Sequence, residues 1–508
     1  MIQSHKDYDT EHTMDADVVI VGTGAGGAPL GAILAEAGLD VLYVEEGGYH
    51  PTTSFNPYAT QSIGRLMRDG GTTMIQGRPL IPYIEGRCVG GSTVINGGMS
   101  WRTPERILRE WQQLTGAAAL GPEGLEPYFA RVEHDTAMAP QLDVSIGDDN
   151  RIMEAGARRL GWRHEKNTRG QYLCVGCNNC VTGCPTGAKS STLVSYIPRA
   201  LAAGARCATE LRAERLLFDG GRCVGIQARA INPRTRKRDK RVSVRARATV
   251  ISCGAVQTPH LLLRHGLGRP SGQLGRNFLC HPNAKVLALY PRDIKGWQGV
   301  SQWGQVRAFR DEGVLFAENM ISPASLAALQ PVHAQPLWEV MKRYNQMVLG
   351  GVLVEDSTTG RVTRGPLDMA MPRYQVTPYD IQRFISGVER MARMHFEMGA
   401  DRVLLPFAKR HFATSMDDIR DLESLVDKPG DIDLFTVHLM GTARMGTKPR
   451  DSVVDVDGQL WDAPGCYVSD ASLFPTAIGV NPQVTIMALS LRIGEQLIDT
   501  LATRSAKL

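Results

Sequence analysis

Apolar and polar positions alternate with two different periods along the chain. Near the start, an apolar run at residues 18–21 is followed by glycines, an alanine- and leucine-rich stretch and a second apolar run that ends before Glu45. This order of strand, turn, helix and strand predicts a parallel βαβ unit. Residues 205–250 alternate apolar and polar positions around an Asp-Gly-Gly turn at 219–221, which predicts strands joined by a hairpin.

The second half of the chain has a different pattern. Across residues 285–430, strand-like stretches are interleaved with amphipathic helices. In residues 379–400, apolar side chains recur every three or four positions, which predicts a helix with one buried face. Residues 248–268 predict a strand followed by a helix, with Gly254 at the turn, and residues 188–204 predict another helix. The pattern as a whole predicts an α/β fold.

Composition and charge narrow the class of protein. The chain has 508 residues, of which 43% are hydrophobic and 21% charged, with a formal net charge of +5. The length suggests about three domains. The charge is too dilute to indicate a nucleic acid or an anionic membrane surface, so we expect a small-molecule substrate. No uncharged apolar run is long enough to predict a transmembrane segment.

The termini bear on where the protein acts. Residues 1–17 are polar and acidic and do not resemble a secretory signal. We therefore expect a cytoplasmic protein, with export through a partner's signal as one alternative. The final residues Ala506, Lys507 and Leu508 are close to the peroxisomal address, which makes a peroxisomal location the second alternative.

A run of four cysteines carries the most specific chemical signal. Residues 174–185 read CVGCNNCVTGCP, which is the C-x2-C-x2-C-x3-C-P spacing of ferredoxins. We predict an iron–sulfur cluster held by Cys174, Cys177, Cys180 and Cys184. A 4Fe–4S cube is favoured, and a 3Fe–4S centre with Cys184 spare is the alternative. Zinc, redox thiols and disulfides also use such ligands and stay open.

The other cysteines lie outside this run. The remaining cysteines are scattered in apolar or strand-like settings and are predicted to be reduced and buried: Cys88, Cys207, Cys223, Cys253, Cys280 and Cys466.

The first turn reads Gly22-x-Gly24-x-x-Gly27, a pattern typical of dinucleotide binding when it lies between strand and helix. A purely structural glycine turn is the alternative.

Four stretches together resemble the glucose–methanol–choline (GMC) family of FAD-dependent oxidoreductases. They are the glycine turn, GRCVGGSTVINGG at 86–98, the strand–helix unit at 248–268, and the C-terminal region with HLMGTARMG at 438–446. The resemblance spans residues 17 to 500 and implies a Rossmann-like FAD-binding domain with a mixed α+β substrate domain built on an antiparallel sheet. It divides the chain into an FAD-binding domain (1–104, 188–285 and 431–508), a cap carrying the cysteines (105–187) and a substrate domain (286–430).

The resemblance also implies how FAD is held. Ile95 stands where some members carry a histidine bonded to the cofactor, so we expect non-covalent FAD. Glu45 is expected at the ribose, Asp470 at the ribityl–phosphate chain, and Leu211 with Ala213 near the adenine. The predicted cofactor-binding residues are Gly22, Gly24, Ala25, Gly27, Glu45, Arg87, Gly90, Gly91, Ser92, Asn96, Gly97, Ala213, Cys253, Gly254, Asp470, Ala471, Asn481, Pro482 and Gln483.

The same resemblance selects two catalytic residues. A lone histidine is usually a core residue with satisfied partners, but His438 and Asn481 stand in the family's active-site positions. Oxidising an alcohol removes a proton and a hydride, so His438 is expected to accept the proton while flavin N5 takes the hydride. Asn481 is expected to donate a hydrogen bond to the substrate oxygen.

A flavin beside an iron–sulfur cluster predicts a dehydrogenase. The cluster would carry electrons from FAD to an external acceptor such as a cytochrome, a quinone, a dye or a small subunit. The substrate would be an alcohol or a sugar. Two alternatives stay open, namely an oxygen-using alcohol oxidase with structural zinc or no metal, and a redox-silent FAD-containing lyase.

Overall fold

The computed structural model describes residues 1–505. Its strands, in chain order, are β1 (Ile2–Gln3), β2 (Glu11–Val21), β3 (Val41–Val44), β4 (Thr73–Ile75), β5 (Ile81–Tyr83), β6 (Met138–Pro140), β7 (His164–Lys166), β8 (Thr168–Gly170), β9 (Arg206–Ala208), β10 (Leu211–Asp219), β11 (Arg222–Ile231), β12 (Arg238–Ile251), β13 (Arg276–Phe278), β14 (Asn283–Leu289), β15 (Gly304–Val306), β16 (Val314–Glu318), β17 (Met347–Val354), β18 (Gly360–Arg364), β19 (Ala370–Arg373), β20 (Arg402–Leu404), β21 (Phe412–Ala413) and β22 (Cys466–Val468).

The α-helices connect and cover these strands. They are α1 (Gly27–Glu36), α2 (Ala59–Leu66), α3 (Ser92–Ile95), α4 (Glu105–Thr115), α5 (Pro122–Asp135), α6 (Asp148–Arg159), α7 (Tyr196–Ala202), α8 (Gly254–Leu263), α9 (Pro323–Ala328), α10 (Ala334–Met341), α11 (Pro378–Glu397) and α12 (Gln483–Ser505).

The first sheet is built around the apolar strands at the start of the chain. Its order is β1-β9-β3-β2-β12-β11-β10, and β22 also pairs with β12. The strands β1, β9, β3, β2, β12 and β22 pair in parallel, while β10 and β11 form an antiparallel extension. The apolar end of β2 and all of β3 are buried, as expected for parallel strands covered on both faces.

The C-terminal helix brings the end of the chain back to the first turn. Gly494 of α12 lies so close to α1 that a Cβ there would come within 2.6 Å of Ile33. The Ser490 hydroxyl accepts a hydrogen bond from the backbone N–H of Leu30 at 3.1 Å and donates one to the carbonyl of Gly26. This packing places the start of α12 beside the glycine turn.

The second sheet is antiparallel throughout. Its order is β21-β20-β14-β17-β16-β15-β7. One face is covered by α11, which is capped by the Thr377 side chain and matches the helix predicted for residues 379–400. Its predicted apolar face is buried: Ile381, Phe384, Ile385, Val388, Met391 and Ala392. A parallel sheet with an antiparallel companion confirms the predicted fold class.

Local structure departs from the sequence prediction at residues 188–204. Only α7 is helical there, because the preceding residues are held by side-chain contacts. The Thr192 hydroxyl donates to the carbonyl of Thr23 at 2.9 Å, and its N–H donates to the Thr93 hydroxyl at 3.0 Å. These contacts tie residues 188–195 to the two glycine loops.

The proposed domain boundaries and cellular location stay predictions. Strand β7 lies in the range expected for the cap and nevertheless joins the second sheet through β15. Within residues 1–505, no helix is both long enough and apolar enough to cross a membrane. The tripeptide Ala506 to Leu508 lies outside the described residues.

Candidate active site

The glycine turn after β2 lies where three strands of the first sheet end. At Gly22, with a φ of +106°, a Cβ would come within 2.3 Å of the Ser252 carbonyl oxygen after β12. At Gly26, a Cβ would come within 1.7 Å of the Ser469 carbonyl oxygen after β22. Glycine is therefore required at both positions, because only it allows the backbones to approach this closely.

Gly24 has a different environment. A Cβ there would meet nothing closer than the Cα of Gly91, at 4.0 Å. Both residues line a cavity of about 620 Å³, which is within the size range of small-molecule sites. The N-terminus of α1 follows directly, and its unpaired N–H groups favour a phosphate. A Cβ on Gly91 would come within 3.0 Å of the Gly24 Cα atom, so the two backbones lie side by side on the cavity wall, next to a helix N-terminus that suits the pyrophosphate of a dinucleotide.

Most of the predicted cofactor residues meet at this cavity. Of the residues expected near FAD, those that line the cavity are Gly22, Gly24, Ala25, Glu45, Gly91, Ser92, Asn96, Gly97, Leu211, Ala213, Cys253, Gly254, Asp470, Ala471, Asn481, Pro482 and Gln483. Three others do not line it. Gly27 packs against Gly22 and Ile20, Arg87 lies 3.8 Å from Glu46, and the N–H of Gly90 donates to the Thr23 hydroxyl at 3.0 Å. These three residues therefore contact other protein groups behind the cavity wall.

Glu45 holds the glycine turn. Its carboxylate accepts hydrogen bonds from the Thr23 hydroxyl at 2.7 Å and from the Gly47 N–H at 2.9 Å, and burial raises its pKa. Glu46 lines the same cavity and pairs with Arg68 at 3.1 Å. Burial opposes ionisation of Glu46, but the charges of Arg68, Arg212 and Arg87 together outweigh it and lower the pKa of Glu46 to about 2. The expected ribose contact of Glu45 stays a prediction.

Asp470 connects the end of β22 to the start of α8. One carboxylate oxygen accepts from the Gly254 N–H at 2.9 Å, and the other accepts from the Ser472 N–H at 2.8 Å. Burial raises its pKa, although these hydrogen bonds oppose the shift. The side chain therefore positions two loops that line the cavity.

His438 and Asn481 lie side by side at this cavity. The Asn481 Nδ2 atom is 3.1 Å from Nε2 of His438, although the two residues come from different loops. Burial, together with the neighbouring His281 and Lys285, lowers the pKa of His438 to about 3. The imidazole is therefore neutral. If the Asn481 amide donates, Nε2 is the acceptor and the ring proton lies on Nδ1.

A second histidine, not predicted from the sequence, packs against the first. The rings of His281 and His438 are 5.9 Å apart and inclined by 78°. His281 is buried, its Nε2 accepts from the Gly479 N–H at 3.2 Å, and its burial lowers the pKa to about 3. Its Nδ1 has no hydrogen-bond partner within residues 1–505. The His-Pro pair at the start of β14 was the available sequence signal.

The four predicted metal ligands line a separate small cavity. The buried guanidinium of Arg169 donates to the Cys180 sulfur at 3.2 Å, and the Lys189 N–H donates to the Cys184 sulfur at 3.5 Å. The Lys189 ammonium donates to the carbonyls of Cys180 at 2.6 Å and Asn96 at 2.7 Å. The cysteine loop is thus tied to the glycine loop at 86–98.

Two family models match the sequence. The N-terminal model, described as GMC oxidoreductase, matches residues 63–283, and the C-terminal model with the same description matches residues 356–490. The chain belongs to the GMC oxidoreductase family. Membership establishes oxidoreductase chemistry on CH–OH groups and supports FAD as the cofactor, as the resemblance implied.

Three relatives illustrate the range of this GMC family. An uncharacterized GMC-type oxidoreductase of Mycobacterium tuberculosis is 33% identical over 494 residues, covering 96% of this chain and 77% of the relative. Long-chain-alcohol oxidase FAO4B of Arabidopsis thaliana is 29% identical over 531 residues, covering 98% of this chain and 69% of the relative. 2-methyl-1,2-propanediol dehydrogenase of Mycolicibacterium austroafricanum is 25% identical over 556 residues, covering 94% of each chain.

Solved structures share the fold of this GMC oxidoreductase. Pyridoxine 4-oxidase from Mesorbium loti superposes with a TM-score of 0.73 at 19% identity, covering 95% of this chain and 99% of that structure. Formate oxidase of Aspergillus oryzae superposes with a TM-score of 0.71 at 15% identity, covering 96% of this chain and 99% of that structure. At these identities the likeness concerns the fold alone.

The iron–sulfur prediction receives no support from these comparisons. None of the relatives named above is described as an iron–sulfur protein. In the part of this GMC oxidoreductase that the structure describes, no group of three His, Cys, Asp or Glu side chains is placed to hold a metal ion. The prediction therefore depends on the cysteine spacing and on the buried cations beside the sulfurs. All ten cysteines are free thiols, and Cys253 is only half-buried.

Proposed function

We propose that this GMC oxidoreductase binds FAD non-covalently and oxidises an alcohol or sugar CH–OH group to a carbonyl. The observation that carries the proposal is the contact between His438 and Asn481 on the wall of a cavity that also contains the glycine turn. FAD, when bound, supplies a hydride acceptor. Ile95 cannot form a bond to a cofactor, which supports non-covalent binding.

The two polar side chains divide the work on the hydroxyl group. His438 is neutral, and its unprotonated Nε2 accepts the hydroxyl proton once the substrate oxygen has replaced Nε2 as the acceptor of the Asn481 amide. The Asn481 amide donates a hydrogen bond to the same oxygen as negative charge develops on it. Because the lining of the cavity is largely apolar around this pair, both interactions are stronger than they would be in bulk water. His281 packs against His438 and limits its rotation.

We further propose that Cys174, Cys177, Cys180 and Cys184 would hold an iron–sulfur cluster, which would supply one-electron transfer to an external acceptor. Two observations support this route. The buried cations Arg169 and Lys189 compensate the negative charge of thiolate ligands. Lys189 also joins the cysteine loop to the loop of Asn96, which lines the cofactor cavity. An iron–sulfur cluster, when bound, carries electrons singly.

An oxygen-using alcohol oxidase is the second candidate. It is favoured by the similarity to a long-chain-alcohol oxidase, at 29% identity over 98% of this chain. In that case the cysteine loop would have no part in turnover. The redox-silent lyase has no observation in its favour.

One experiment separates these candidates. The protein is purified without oxygen, its flavin spectrum is recorded, and iron and zinc are measured. A panel of primary alcohols and sugars is then added, first without an acceptor and then with a dye or with oxygen. Bleaching of the flavin by an alcohol is the expected result, and its absence with every alcohol and sugar would contradict the proposed oxidation. Lack of iron would exclude the cluster, and peroxide formation without dye would favour the oxidase.

A further inference from the structure

The wall of the cavity that belongs to the second sheet carries one lysine. Asn283 and Lys285 are two residues apart on β14, so their side chains project from the same face. Leu353 and Gly351 are their register partners on β17. The lining of the cavity that contains His438 includes all four of these residues. Lys285 is also close enough to His438 for its charge to contribute to the lowered pKa of that histidine.

The backbone opposite Lys285 leaves room for its side chain. A Cβ on Gly351 would come within 3.2 Å of the Lys285 Nζ atom and within 2.8 Å of the Asn283 Oδ1 atom. The two polar groups therefore converge over Gly351. Any larger residue at that position would push them apart. Glycine at position 351 on the neighbouring strand β17 therefore allows the two side chains to converge.

The Lys285 ammonium has no partner of opposite charge in contact. Its Nζ atom lies 5.5 Å from the centre of the Phe435 ring, and no hydrogen bond or ion pair joins it to another residue in the described part of the chain. The Asn283 Oδ1 atom is buried and likewise lacks a partner there. Glu318 on β16, the strand beyond β17, acts on Lys285 through its charge, and its carboxylate accepts a hydrogen bond from Asn150 at 2.6 Å.

An ammonium group in this position is costly unless something compensates it. Burial lowers the pKa of Lys285 to about 8, and the charge of Glu318 opposes the shift. The group is therefore still mostly protonated at neutral pH. Lys285 is half-buried, and an ammonium group that loses hydration without a counter-ion in contact is destabilised. Because the group faces a ligand cavity, a bound molecule can supply the missing charge.

We propose that Lys285 binds a carboxylate on the substrate, with the Nδ2 group of Asn283 as a second donor, so that hydroxy acids are the preferred substrates. This inference rests on the proposed function, because the hydroxyl of the same molecule must reach His438. One ammonium matches one carboxylate, whereas a phosphate would bring a second charge with no second cation. Leu353 and Leu315 are register partners across the strands beside Asn283, and both line the cavity, where they suit an apolar carbon chain.

The test compares charged and neutral ligands on the FAD-loaded enzyme. Hexanol and ω-hydroxyhexanoate serve as substrates, and kcat/KM is measured with a dye acceptor. Hexanoate and hexanamide serve as non-reacting ligands, and their dissociation constants are measured from the change in flavin absorbance. The variant is Lys285→Met, which keeps the length of the side chain and removes the charge. Lys342→Met is the matched control, because Lys342 pairs with Glu339 on the surface.

The wild-type enzyme should prefer ω-hydroxyhexanoate to hexanol and should bind hexanoate more tightly than hexanamide. Lys285→Met should lose about 30-fold or more in each of these preferences, mainly through KM, because removing one member of a buried charge pair is costly. Because Lys285 also acts on the pKa of His438, the readout is the ratio of the two kcat/KM values, from which any change common to both substrates cancels. Lys342→Met should behave as wild type throughout.

Two results would overturn the inference. One is a wild-type enzyme with no preference for the carboxylate ligands, and the other is a Lys285→Met variant that loses hexanol and ω-hydroxyhexanoate activity equally. Failure of the proposed function looks different. In that case neither alcohol reduces the flavin, and the hexanoate and hexanamide measurements still decide whether Lys285 binds a carboxylate.

Discussion

The Asn481 amide nitrogen lies 3.1 Å from Nε2 of His438, across 43 residues of chain. His438 follows an isolated bridge that joins Thr436 to Tyr83, and Asn481 directly precedes α12. The contact depends on α12 packing against α1, because that packing sets where the loop before α12 lies. Asn481 is therefore positioned by the first sheet, whereas the segment that leads to His438 bridges β5 at Tyr83 and β14 of the second sheet at Asn283.

Replacing the base should remove most of the oxidation. We expect His438→Ala to slow flavin reduction by alcohol about 100-fold or more, which is the usual contribution of a general base. The variant should still bind FAD, since the contacts of the glycine turn are unchanged. Rapid mixing without oxygen measures the rate. His333→Ala is the control, because His333 is exposed at the start of α10. Unchanged reduction in His438→Ala would remove His438 from the mechanism.

Removing the neighbouring donor should have a comparable effect. We expect Asn481→Ala to lower the rate of flavin reduction about 100-fold, the usual cost of one preorganised donor to a developing oxyanion. Asn481→Asp should be worse, because it replaces the donor by an acceptor beside the imidazole. The same rapid-mixing measurement applies. If Asn481→Asp were faster than Asn481→Ala, the donor role would be contradicted.

The pH dependence of flavin reduction should differ from that of an ordinary histidine base. A base works in its deprotonated form, which is present above its pKa. Burial, followed by the charges of His281 and Lys285, lowers the pKa of His438 to about 3. The rate should therefore not fall as the pH drops through about 6.5, where a free histidine titrates. A decrease in kcat/KM as the pH falls through that value would contradict the lowered pKa of His438.

The cysteine loop should matter for electron exit and not for substrate oxidation. We expect Cys177→Ala to leave the rate of flavin reduction unchanged, to lower the iron content and to slow electron transfer to a cytochrome or quinone. Cys207→Ala serves as the control, since Cys207 is buried in β9 away from this loop. Equal iron content in Cys177→Ala and wild type would exclude Cys177 as a ligand.

Lys189 should be important for both loops that it joins. Its ammonium donates to the carbonyls of Val94, Asn96 and Cys180. Lys189→Met leaves these oxygens without their donor, at a cost of about 1–3 kcal/mol each, and should lower the melting temperature and FAD retention together.

A matched control distinguishes a local effect from general destabilisation. Lys240 donates to the carbonyls of His5 at 2.8 Å and Tyr8 at 2.6 Å, beside the edge of the first sheet. Lys240→Met should therefore lower the melting temperature without releasing FAD. Similar FAD loss in both variants would contradict a specific role for Lys189.

Local sequence patterns predicted much of the framework. The βαβ unit at residues 18–45 follows from strand and helix periods with a glycine turn between them, and α11 follows from its apolar repeat. Residues 188–195 were predicted wrongly as helix, because Thr192 and Lys189 make distant contacts that outweigh local helix preference. The His438 and Asn481 pair was found through resemblance of motifs, not through periodicity.

By itself, the sequence determined the fold class, the family, the glycine turn and the two residues expected to act on the hydroxyl group. These features are encoded by neighbouring residues in short stretches, so they can be read without coordinates. Only the tertiary structure decided that His281 packs on His438 and that Lys285 enters the same cavity without a counter-ion. Those relationships depend on the register of β14 and β17 and on the approach of two sheets, which no local pattern specifies.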